Sequence, residues 1–226
     1  MIGIIIPAHD EEQLVASCLH AALSAGRHKG LCGEAVEVLV VLDACSDSTT
    51  DIVTRFPVGA ISVSVRNVGM ARAAGAEYLL ARGARWLAFT DADTRVAEDW
   101  LFQQLEQQAD VVCGTVAVDD WSEYCRFAEP LQKHFRDTYE DADGHRHIHG
   151  ANLGVCSLAY RAVGGFAPLE SSEDVALVNA LLAVGAKVAW SAAPRVVTSA
   201  RRMARAPAGF AAALGIAVGT LSQTAM

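Results

Sequence analysis

The chain has 226 residues, of which 52% are hydrophobic and 19% are charged, and its formal net charge is −8. This length suits one domain, and a composition this apolar excludes intrinsic disorder. The acidic balance argues against a general nucleic-acid binder, because such proteins present a basic surface.

The charge is distributed unevenly along the chain. No Asp or Glu follows Asp174, whereas the same stretch carries five cations, namely Lys187, Arg195, Arg201, Arg202 and Arg205. This asymmetry suggests a basic segment that serves an anionic ligand. A basic surface that only improves solubility is the alternative.

The first hundred residues alternate strand-like and helix-like segments. Apolar runs predict strands at Ile2–Ile6, Val36–Leu42, Ala60–Val65 and Arg85–Thr90. Helical patterns predict helices at Glu11–Ala25, Asp47–Phe56 and Gly69–Ala81. We expect Pro7 to end the first strand. Repeated β-α order predicts an α/β fold with a parallel sheet and right-handed crossovers.

The pattern changes in the second half of the chain. Helices are predicted at Trp100–Ala109, at Trp121–Tyr139 with a kink at Pro130, and at Val175–Val184. Strands are predicted at Val111–Val118 and Leu153–Ser157, with a polar loop at Asp141–Gly150. The longest remaining apolar stretch, Ala211–Gly219, is shorter than the ~20 residues of a membrane helix. We expect no transmembrane segment, although this stretch can pack on a membrane surface or a partner.

The six cysteines form no C-x-x-C pair, and several lie inside apolar runs. Metal and disulfide frameworks are therefore poorly supported. No basic leader precedes the first apolar run, so no signal peptide is indicated. We expect buried, reduced thiols and a cytoplasmic location.

The stretch Trp86–Thr94, which reads WLAFTDADT, is the most informative part of the chain. An apolar strand ends there in Asp91-Ala92-Asp93. Side chains two residues apart on a strand point the same way, so both carboxylates can face the crevice where open α/β sheets bind ligands. Mg²⁺ and Mn²⁺ are often held by one or two carboxylates together with substrate phosphates. The pair therefore predicts a metal site.

Polar turns follow the first two predicted strands. The first turn runs from Pro7 to Glu12 and leads into a helix, whose N-terminus can receive an anion. Its acidic residues can equally well only favour the helix start. In the second turn, Asp43 is placed to accept hydrogen bonds from a ribose or a base edge. Ser46 and Asp47 are expected to cap the next helix.

The third turn, Asn67–Gly75, places Arg72 in the first turn of a helix facing the same crevice. A cation there suits a pyrophosphate, and a surface salt bridge is the alternative. The alternation of His145, His147 and His149 puts three imidazoles on one side of an extended segment. They can form a metal site, grip an acceptor or belong to a solvated loop.

Together, these turns and the Asp91/Asp93 pair resemble the nucleotide-sugar half of the family 2 glycosyltransferases. Gly150-Ala151-Asn152-Leu153-Gly154 and Tyr160–Phe166 resemble the acceptor-side strand and turn of that family. Glu173-Asp174 resembles its Glu-Asp pair, whose Asp is the usual catalytic base. The resemblance covers roughly residues 1–190 and implies the A-type glycosyltransferase fold, a Rossmann-like α/β sandwich with a mostly parallel sheet flanked by helices.

The resemblance implies a hexosyltransferase-type enzyme that moves a sugar from a nucleotide-diphosphate sugar to a hydroxyl acceptor. Mn²⁺ or Mg²⁺ on Asp91 and Asp93, and Asp174 as the base of an inverting reaction, are implied with it. The implied donor site comprises Pro7, Ala8, His9, Glu11, Asp43, Asn67, Arg72, Asp91, Ala92, Asp93, Arg201 and Arg202. The implied acceptor site comprises His149, Gly150, Ala151, Asn152 and Glu173. Within a single domain, 1–226, we expect a nucleotide-sugar half at 1–110, an acceptor half at 111–200 and a basic and apolar segment at 201–226.

The sequence departs from the family pattern at several points. Asp43-Ala44-Cys45-Ser46 stands where relatives often have Asp-Asp-Gly-Ser, and no Gln-x-x-Arg-Trp motif is present. No His follows Asp174, so we expect a metal to be held mainly by Asp93 and the diphosphate. Thr198-Ser199-Ala200-Arg201-Arg202 resembles a stretch in small soluble members, and its arginines can close over the diphosphate or hold an anionic acceptor. A nucleotidyltransferase is a second hypothesis, although the first turn lacks a glycine-rich, basic loop. A non-catalytic nucleotide-sugar-binding protein is a third, disfavoured because both the metal and the base candidates are present.

Overall fold

A computed structural model describes residues 1–202 and 214–220 of the chain. The strands are β1 (Ile2–Ala8), β2 (Val36–Asp43), β3 (Gly59–Val63), β4 (Trp86–Phe89), β5 (Thr94–Val96), β6 (Val111–Gly114), β7 (Leu153–Cys156), β8 (Val188–Ser191) and β9 (Val196–Thr198). The helices are α1 (Val15–Ala25), α2 (Thr49–Val53), α3 (Val68–Ala81), α4 (Trp100–Glu106), α5 (Ala128–Thr138), α6 (Ser157–Ala162) and α7 (Glu173–Ala183).

The central sheet has the strand order β3-β2-β1-β4-β7-β6-β8. The pairs formed by β3, β2, β1 and β4 are parallel, as is the pair of β6 with β8. Strand β7 pairs antiparallel with both of its neighbours. The predicted α/β fold with a mostly parallel sheet is therefore confirmed. The sheet continues across residue 110, so both predicted halves contribute strands to it.

Helices cover both faces of the sheet, which explains why its inner strands β1 and β4 are buried along their whole length. Alternate residues of β1 enter different cores. Ile4 packs in the core that contains Leu19 of α1 and Trp100 of α4. Ile5 packs in the core that contains Leu79 of α3 and Leu177 of α7.

Two sequence expectations about proline are wrong. Strand β1 runs through Pro7 to Ala8 and does not end there, because beyond Ile5 it is paired with β2 alone and one edge is open. The predicted helix Trp121–Tyr139 is also broken. A 3-10 segment, Ser122–Phe127, contains Cys125 at φ 49° and ψ −119°, and α5 begins only at Ala128. Pro130 then lies in the first turn of α5, where its missing N–H costs no hydrogen bond and causes no kink.

Several further differences concern short elements. The predicted strand Val111–Val118 stops at Gly114, and Ala117 forms an isolated bridge with Val197. Strands β5, β8 and β9 and helix α6 were not predicted. Strands β5 and β9 pair antiparallel as a separate small sheet. These strands are three or four residues long, too short for a period-2 pattern to be recognised.

The last described residues, 214–220, are helical. Leu214 is buried in a small apolar cluster with Trp121 and Leu131, so this part of the predicted stretch Ala211–Gly219 packs on the protein itself. Residues 211–213 and Arg205 lie outside the described residues. Within those residues, no helix combines the length and apolar character needed to cross a bilayer.

The six cysteines all carry free thiols. The expectation that they are buried is only partly right, because Cys18 and Cys113 are buried whereas Cys32 and Cys125 are exposed.

Candidate functional site

The loops that follow β1 and β2 hold each other at the carboxyl edge of the sheet. The Asp10 carboxylate accepts the backbone N–H of Ser46 at 2.6 Å and that of Asp47 at 3.2 Å. The bond from Ser46 is the main reason that the pKa of Asp10 lies below its usual value. In return, the Glu12 N–H donates to Asp47 at 3.1 Å, and the Ser48 N–H donates to Glu12 at 3.0 Å. Asp47 also accepts the N–H of Thr49 at the start of α2. The N-cap residue of this helix is Ser48, and the Ser46 hydroxyl donates to Asp10, so the predicted cap at Ser46 is wrong.

Asp43 stands at the end of β2 with its carboxylate buried. It accepts the backbone N–H groups of Val65, Arg66 and Asn67 at 2.8–2.9 Å. These bonds shape the turn before α3, where the Asn67 side chain caps the helix by accepting the Met70 N–H at 2.8 Å. Asp43 thus stabilises the turn between β3 and α3. Its contact with a ribose or base stays a prediction.

Arg72 of α3 is buried, with 3% of its surface exposed. Its guanidinium pairs with Asp91, after β4, at 2.5 Å and with Glu173, at the start of α7. Burial raises the pKa of both Asp91 and Glu173, against the opposing attraction of Arg72. The surface salt bridge considered for Arg72 is therefore wrong, because Arg72 and its partner Glu173 are both buried. A direct contact of Arg72 with pyrophosphate is not available in this arrangement.

Asp93 lies two residues further along and has a separate cationic partner. Arg201 bridges the carboxylates of Asp93 at 2.5 Å and Glu11 at 2.9 Å. Ser199 donates its hydroxyl to Asp93 at 2.5 Å and accepts from Arg201 Nε at 3.2 Å. Ser199 belongs to the stretch noted for its family resemblance, but sequence reasoning did not place it in the site.

The two small strands bring this C-terminal stretch to the site. Thr94 of β5 lies opposite Thr198 of β9, and their hydroxyls are 2.9 Å apart. Two other cations of the basic segment after Asp174 form contacts away from Asp93. Arg195 pairs with Asp141 at 2.5 Å, and Lys187 donates to the Gln108 carbonyl at 2.9 Å. Among the described cations after Asp174, Arg201 is therefore the one that pairs with a carboxylate of the site.

The side chains around Asp93 have the donor chemistry that a divalent ion needs. Asp91, Asp93 and Glu11 offer carboxylate oxygens, which Mg²⁺ and Mn²⁺ prefer. In the described part of the chain, no group of three or more His, Cys, Asp or Glu side chains forms a ready-made metal site. One or two carboxylates completed by phosphate oxygens are a usual way to hold these ions. The residues therefore fit a metal that binds together with a phosphorylated ligand.

Asp174 occupies the first turn of α7, where the helix end favours a negative charge. Its carboxylate accepts the Gly150 N–H at 2.7 Å and the Val175 N–H at 2.8 Å. The side chain is half-buried at the acceptor side of the crevice. These two N–H groups hold the Asp174 carboxylate in a fixed position.

Two histidines of the His145–His149 segment, His147 and His149, pack on Tyr139, and His145 stacks on His147. The Tyr139 hydroxyl accepts the Val116 N–H at 2.9 Å and is hydrogen-bonded to His149 Nε2 at 2.9 Å. Burial and, to a smaller extent, the neighbouring His147 together lower the pKa of His149 to about 4, while Asp174 opposes them. His149 is therefore neutral near pH 7. The His147 ring stacks on Tyr139 with centroids 4.1 Å apart.

This packing bears on the alternatives for the histidine segment. His145 is fully buried, so the segment is not a solvated loop. Its rings stack side by side, and they form no metal-holding group within residues 1–202. The acceptor role of His149, next to Gly150, stays a prediction. Tyr139, which orients the segment, was missed because its only signal was its place at the end of a predicted helix.

Asn152 has an internal role that sequence reasoning did not foresee. It is fully buried, accepts the Trp100 Nε1–H at 2.8 Å and donates to the carbonyls of Thr115 and Pro194 at 2.7 and 2.9 Å. Its predicted contact with an acceptor is not available here, because the amide is used to join three segments. Ala151 beside it is also buried.

Comparisons with known proteins agree with this arrangement. The chain matches the sequence model of the family described as Glycosyl transferase family 2 over residues 3–163. A search among curated proteins finds no significant match.

Solved structures of similar fold include three proteins with bound nucleotides or sugars. The S. aureus TarS fragment 1–349 in complex with UDP-GlcNAc has a TM-score of 0.64 at 14% identity, covering 92% of this chain and 61% of that one. The mannosyltransferase PcManGT from Pyrobaculum calidifontis, in complex with GDP-Man and Mn²⁺, has a TM-score of 0.65 at 17% identity, covering 90% and 58%. GalNAc-T7 with UDP, GalNAc and Mn²⁺ has a TM-score of 0.64 at 15% identity, covering 89% and 44%. The chain thus spans less than two thirds of the length of these structures.

Proposed function

The chain belongs to glycosyl transferase family 2, and from this premise we propose that it transfers a sugar from a nucleotide-diphosphate sugar to a hydroxyl group of an acceptor. The observation that carries the proposal is the pair of separate carboxylate centres at one sheet edge. Asp93 with Glu11 and Arg201 forms the donor centre. Asp174, fixed by Gly150, forms the acceptor centre.

The donor centre is suited to a diphosphate and a divalent ion. Asp93, with Asp91, would hold Mn²⁺ or Mg²⁺, and a bound ion supplies charge stabilisation for a leaving diphosphate. Arg201 is the cation nearest to Asp93 and can form charge-assisted bonds to phosphate oxygens. The structures of PcManGT and GalNAc-T7 contain Mn²⁺, which supports the choice of ion.

The acceptor centre is suited to proton removal. In the proposed reaction the acceptor oxygen forms a bond to the anomeric carbon, the bond from that carbon to the diphosphate breaks, and Asp174 takes the hydroxyl proton. A base placed in this way contributes about 10²–10⁴-fold to the rate. Attack opposite the leaving group inverts the anomeric configuration.

Product analysis tests the proposal. The protein is first screened by thermal shift against UDP-, GDP- and dTDP-sugars with and without Mn²⁺, since a ligand at ~100 times its Kd stabilises by ~2.7 kcal/mol. Labelled nucleotide sugars and nucleoside triphosphates are then incubated with it together with a panel of hydroxyl-bearing acceptors. Release of nucleoside diphosphate supports glycosyl transfer. Release of pyrophosphate identifies a nucleotidyltransferase, and binding without any release identifies a non-catalytic nucleotide-sugar-binding protein.

A further inference from the structure

Arg72 connects the donor and acceptor centres through its two ion pairs. Asp91 follows β4 on the donor side, whereas Glu173 begins α7 on the acceptor side and directly precedes Asp174. Both carboxylates contact the same guanidinium. A planar fork can hold two carboxylates in a fixed relation, whereas an ammonium on a flexible stem fixes that relation less well.

Gly150 supplies a second link between Arg72 and the acceptor centre. A Cβ at position 150 would overlap the carbon and both terminal nitrogens of the Arg72 guanidinium, so the backbone lies directly against it. The N–H of the same residue donates to Asp174 at 2.7 Å. The position of the guanidinium therefore sets the position of the group that holds Asp174.

Gly69 allows the two helices that carry these side chains to meet. A Cβ at position 69, in the first turn of α3, would lie 2.7 Å from Glu173 Cγ. The N-terminal turn of α3 thus packs closely against the start of α7. Helix α3 is in turn fixed on the sheet, so it provides a rigid support for Arg72.

We propose that Arg72 is a positioning residue that sets the geometry of Asp174 relative to Asp91 and does not itself bind the diphosphate. The inference rests on the proposed function, because it concerns the base of that reaction. A cation whose residue is 3% exposed and whose terminal nitrogens are both paired is not placed to meet a ligand. A displacement of about 1 Å in a reacting group can lower a rate about 10²-fold, so its effect is expected on turnover.

The test compares Arg72→Lys and Gly150→Ala with Arg82→Lys, a matched change at the exposed end of the same helix. Nucleoside diphosphate release gives kcat and the KM for the donor, and calorimetry compares UDP with uridine and GDP with guanosine. We expect Arg72→Lys and Gly150→Ala each to lower kcat by about 10–100-fold. The donor KM and the preference for the diphosphate over the nucleoside should change less than about threefold, and Arg82→Lys should match the wild type.

The double variant gives a sharper result. Lysine lacks the guanidinium that a Cβ at position 150 would overlap, so Gly150→Ala should cost little more once Arg72→Lys is present. Fully additive losses would contradict the proposed contact. If Arg72→Lys does not fold, Glu173→Gln, which keeps the side-chain shape, replaces it with the same expected loss of kcat.

The outcomes separate this inference from the proposed function. A wild-type protein that releases no nucleoside diphosphate from any sugar donor refutes the proposed function. A wild-type protein that transfers sugar while Arg72→Lys keeps its kcat refutes the positioning role alone. If Arg72→Lys binds the nucleoside diphosphate more weakly but the nucleoside as well as the wild type does, Arg72 is a diphosphate ligand. This result also overturns the inference.

Discussion

At the scale of single residues, the site is a set of acidic groups with different partners. Asp91 and Asp93 each contact an arginine, whereas Asp174 is held by backbone N–H groups. Backbone donors fix the position of a carboxylate but add no full positive charge beside it. The Asp174 carboxylate therefore has a fixed position at the acceptor side, whereas Asp93 lies beside the cation Arg201.

The role of Asp174 is tested by Asp174→Asn. The amide keeps the shape of the side chain but cannot accept a proton, so we expect transfer to fall by ~10²-fold or more at unchanged donor affinity. Single-turnover kinetics and calorimetry with the donor measure the two effects. Near wild-type transfer with intact donor binding would mean that another base or a retaining reaction operates.

His149 makes the stability of the protein depend on pH. Its pKa is about 4 in the folded protein, below the ordinary value near 6.5, because of burial beside His147 and His145, with Asp174 opposing. Between these values the unfolded chain binds a proton that the folded chain does not. The contribution of His149 to the free energy of unfolding is therefore fully present above about pH 6.5 and is lost as the pH falls toward 4.

The expected loss between about pH 7.5 and about pH 5 is about 2 kcal/mol in the free energy of unfolding. Urea unfolding at the two pH values measures it in the wild type and in His149→Asn, where the loss should be smaller by that amount. His134→Asn, on the exposed surface of α5, is the control and should behave as the wild type. An unchanged pH dependence in His149→Asn would show that other groups cause it.

At the scale of elements, close packing of helices on the sheet positions the site. Helix α3 carries both Asn67, its cap, and Arg72, so its distance from the sheet sets where these side chains lie. Gly75 permits that distance, because a Cβ there would lie 2.7 Å from Ile5 Cγ2 and 2.8 Å from Val41 Cγ2. Both neighbours are β-branched and have little freedom to move.

Gly75→Ala tests this packing against helix propensity. Alanine favours a helix over glycine by about 1 kcal/mol, yet we expect Gly75→Ala to destabilise the protein by about 1–3 kcal/mol through overpacking. Gly215→Ala is the matched control, since it lies in the helical residues 214–220 and its Cβ would meet no atom of the described residues within 4 Å. Urea unfolding compares the two. A stabilised Gly75→Ala would show that α3 can move away from the sheet.

At the scale of the whole molecule, the end of the described chain returns to its beginning. Arg201 contacts Glu11, 190 residues earlier in the sequence, and Asp93, 108 residues earlier. Its side chain is 16% exposed, so this ion-pair network is more than a solvated surface contact. Strand β9 and Ser199 hold the segment in place. We expect residues 198–202 to close over the donor when the diphosphate binds.

Single substitutions separate the two adjacent arginines. Arg201→Ala should weaken nucleoside diphosphate binding by about 1.5–3 kcal/mol and nucleoside binding much less, because a charge-assisted contact is lost. Arg202→Ala should cost far less, since Arg202 is exposed. Calorimetry with Mn²⁺ measures both. Tighter binding by Arg201→Ala would mean that the arginine blocks Asp93 and does not hold the phosphate.

Hydrogen exchange tests the closure itself. Amides within residues 198–202 should gain protection when donor and Mn²⁺ are added, and Arg201→Ala should remove the gain. No added protection together with a neutral Arg201→Ala would contradict the closure. Residues 203–205, which belonged to the same prediction, lie outside the described residues.

The sequence by itself determined the α/β class, the first four parallel strands and the sheet edge at which Asp91 and Asp93 stand. These follow from local patterns, because an apolar run of five to eight residues and the turn after it are encoded in adjacent residues. The membership in glycosyl transferase family 2, expected from the order of the motifs, is confirmed. The role of Asp174 came from the family resemblance, and it stays a prediction.

Only the tertiary structure decided which partner each charged side chain takes. Arg72 faces the crevice as its position in α3 implies, but its burial between Asp91 and Glu173 depends on how α7 packs against α3. Asn152 lies within a predicted acceptor motif, yet its amide joins segments near residues 100, 115 and 194. Contacts between residues so far apart are fixed by strand order and helix packing, and no local period in the sequence carries that information.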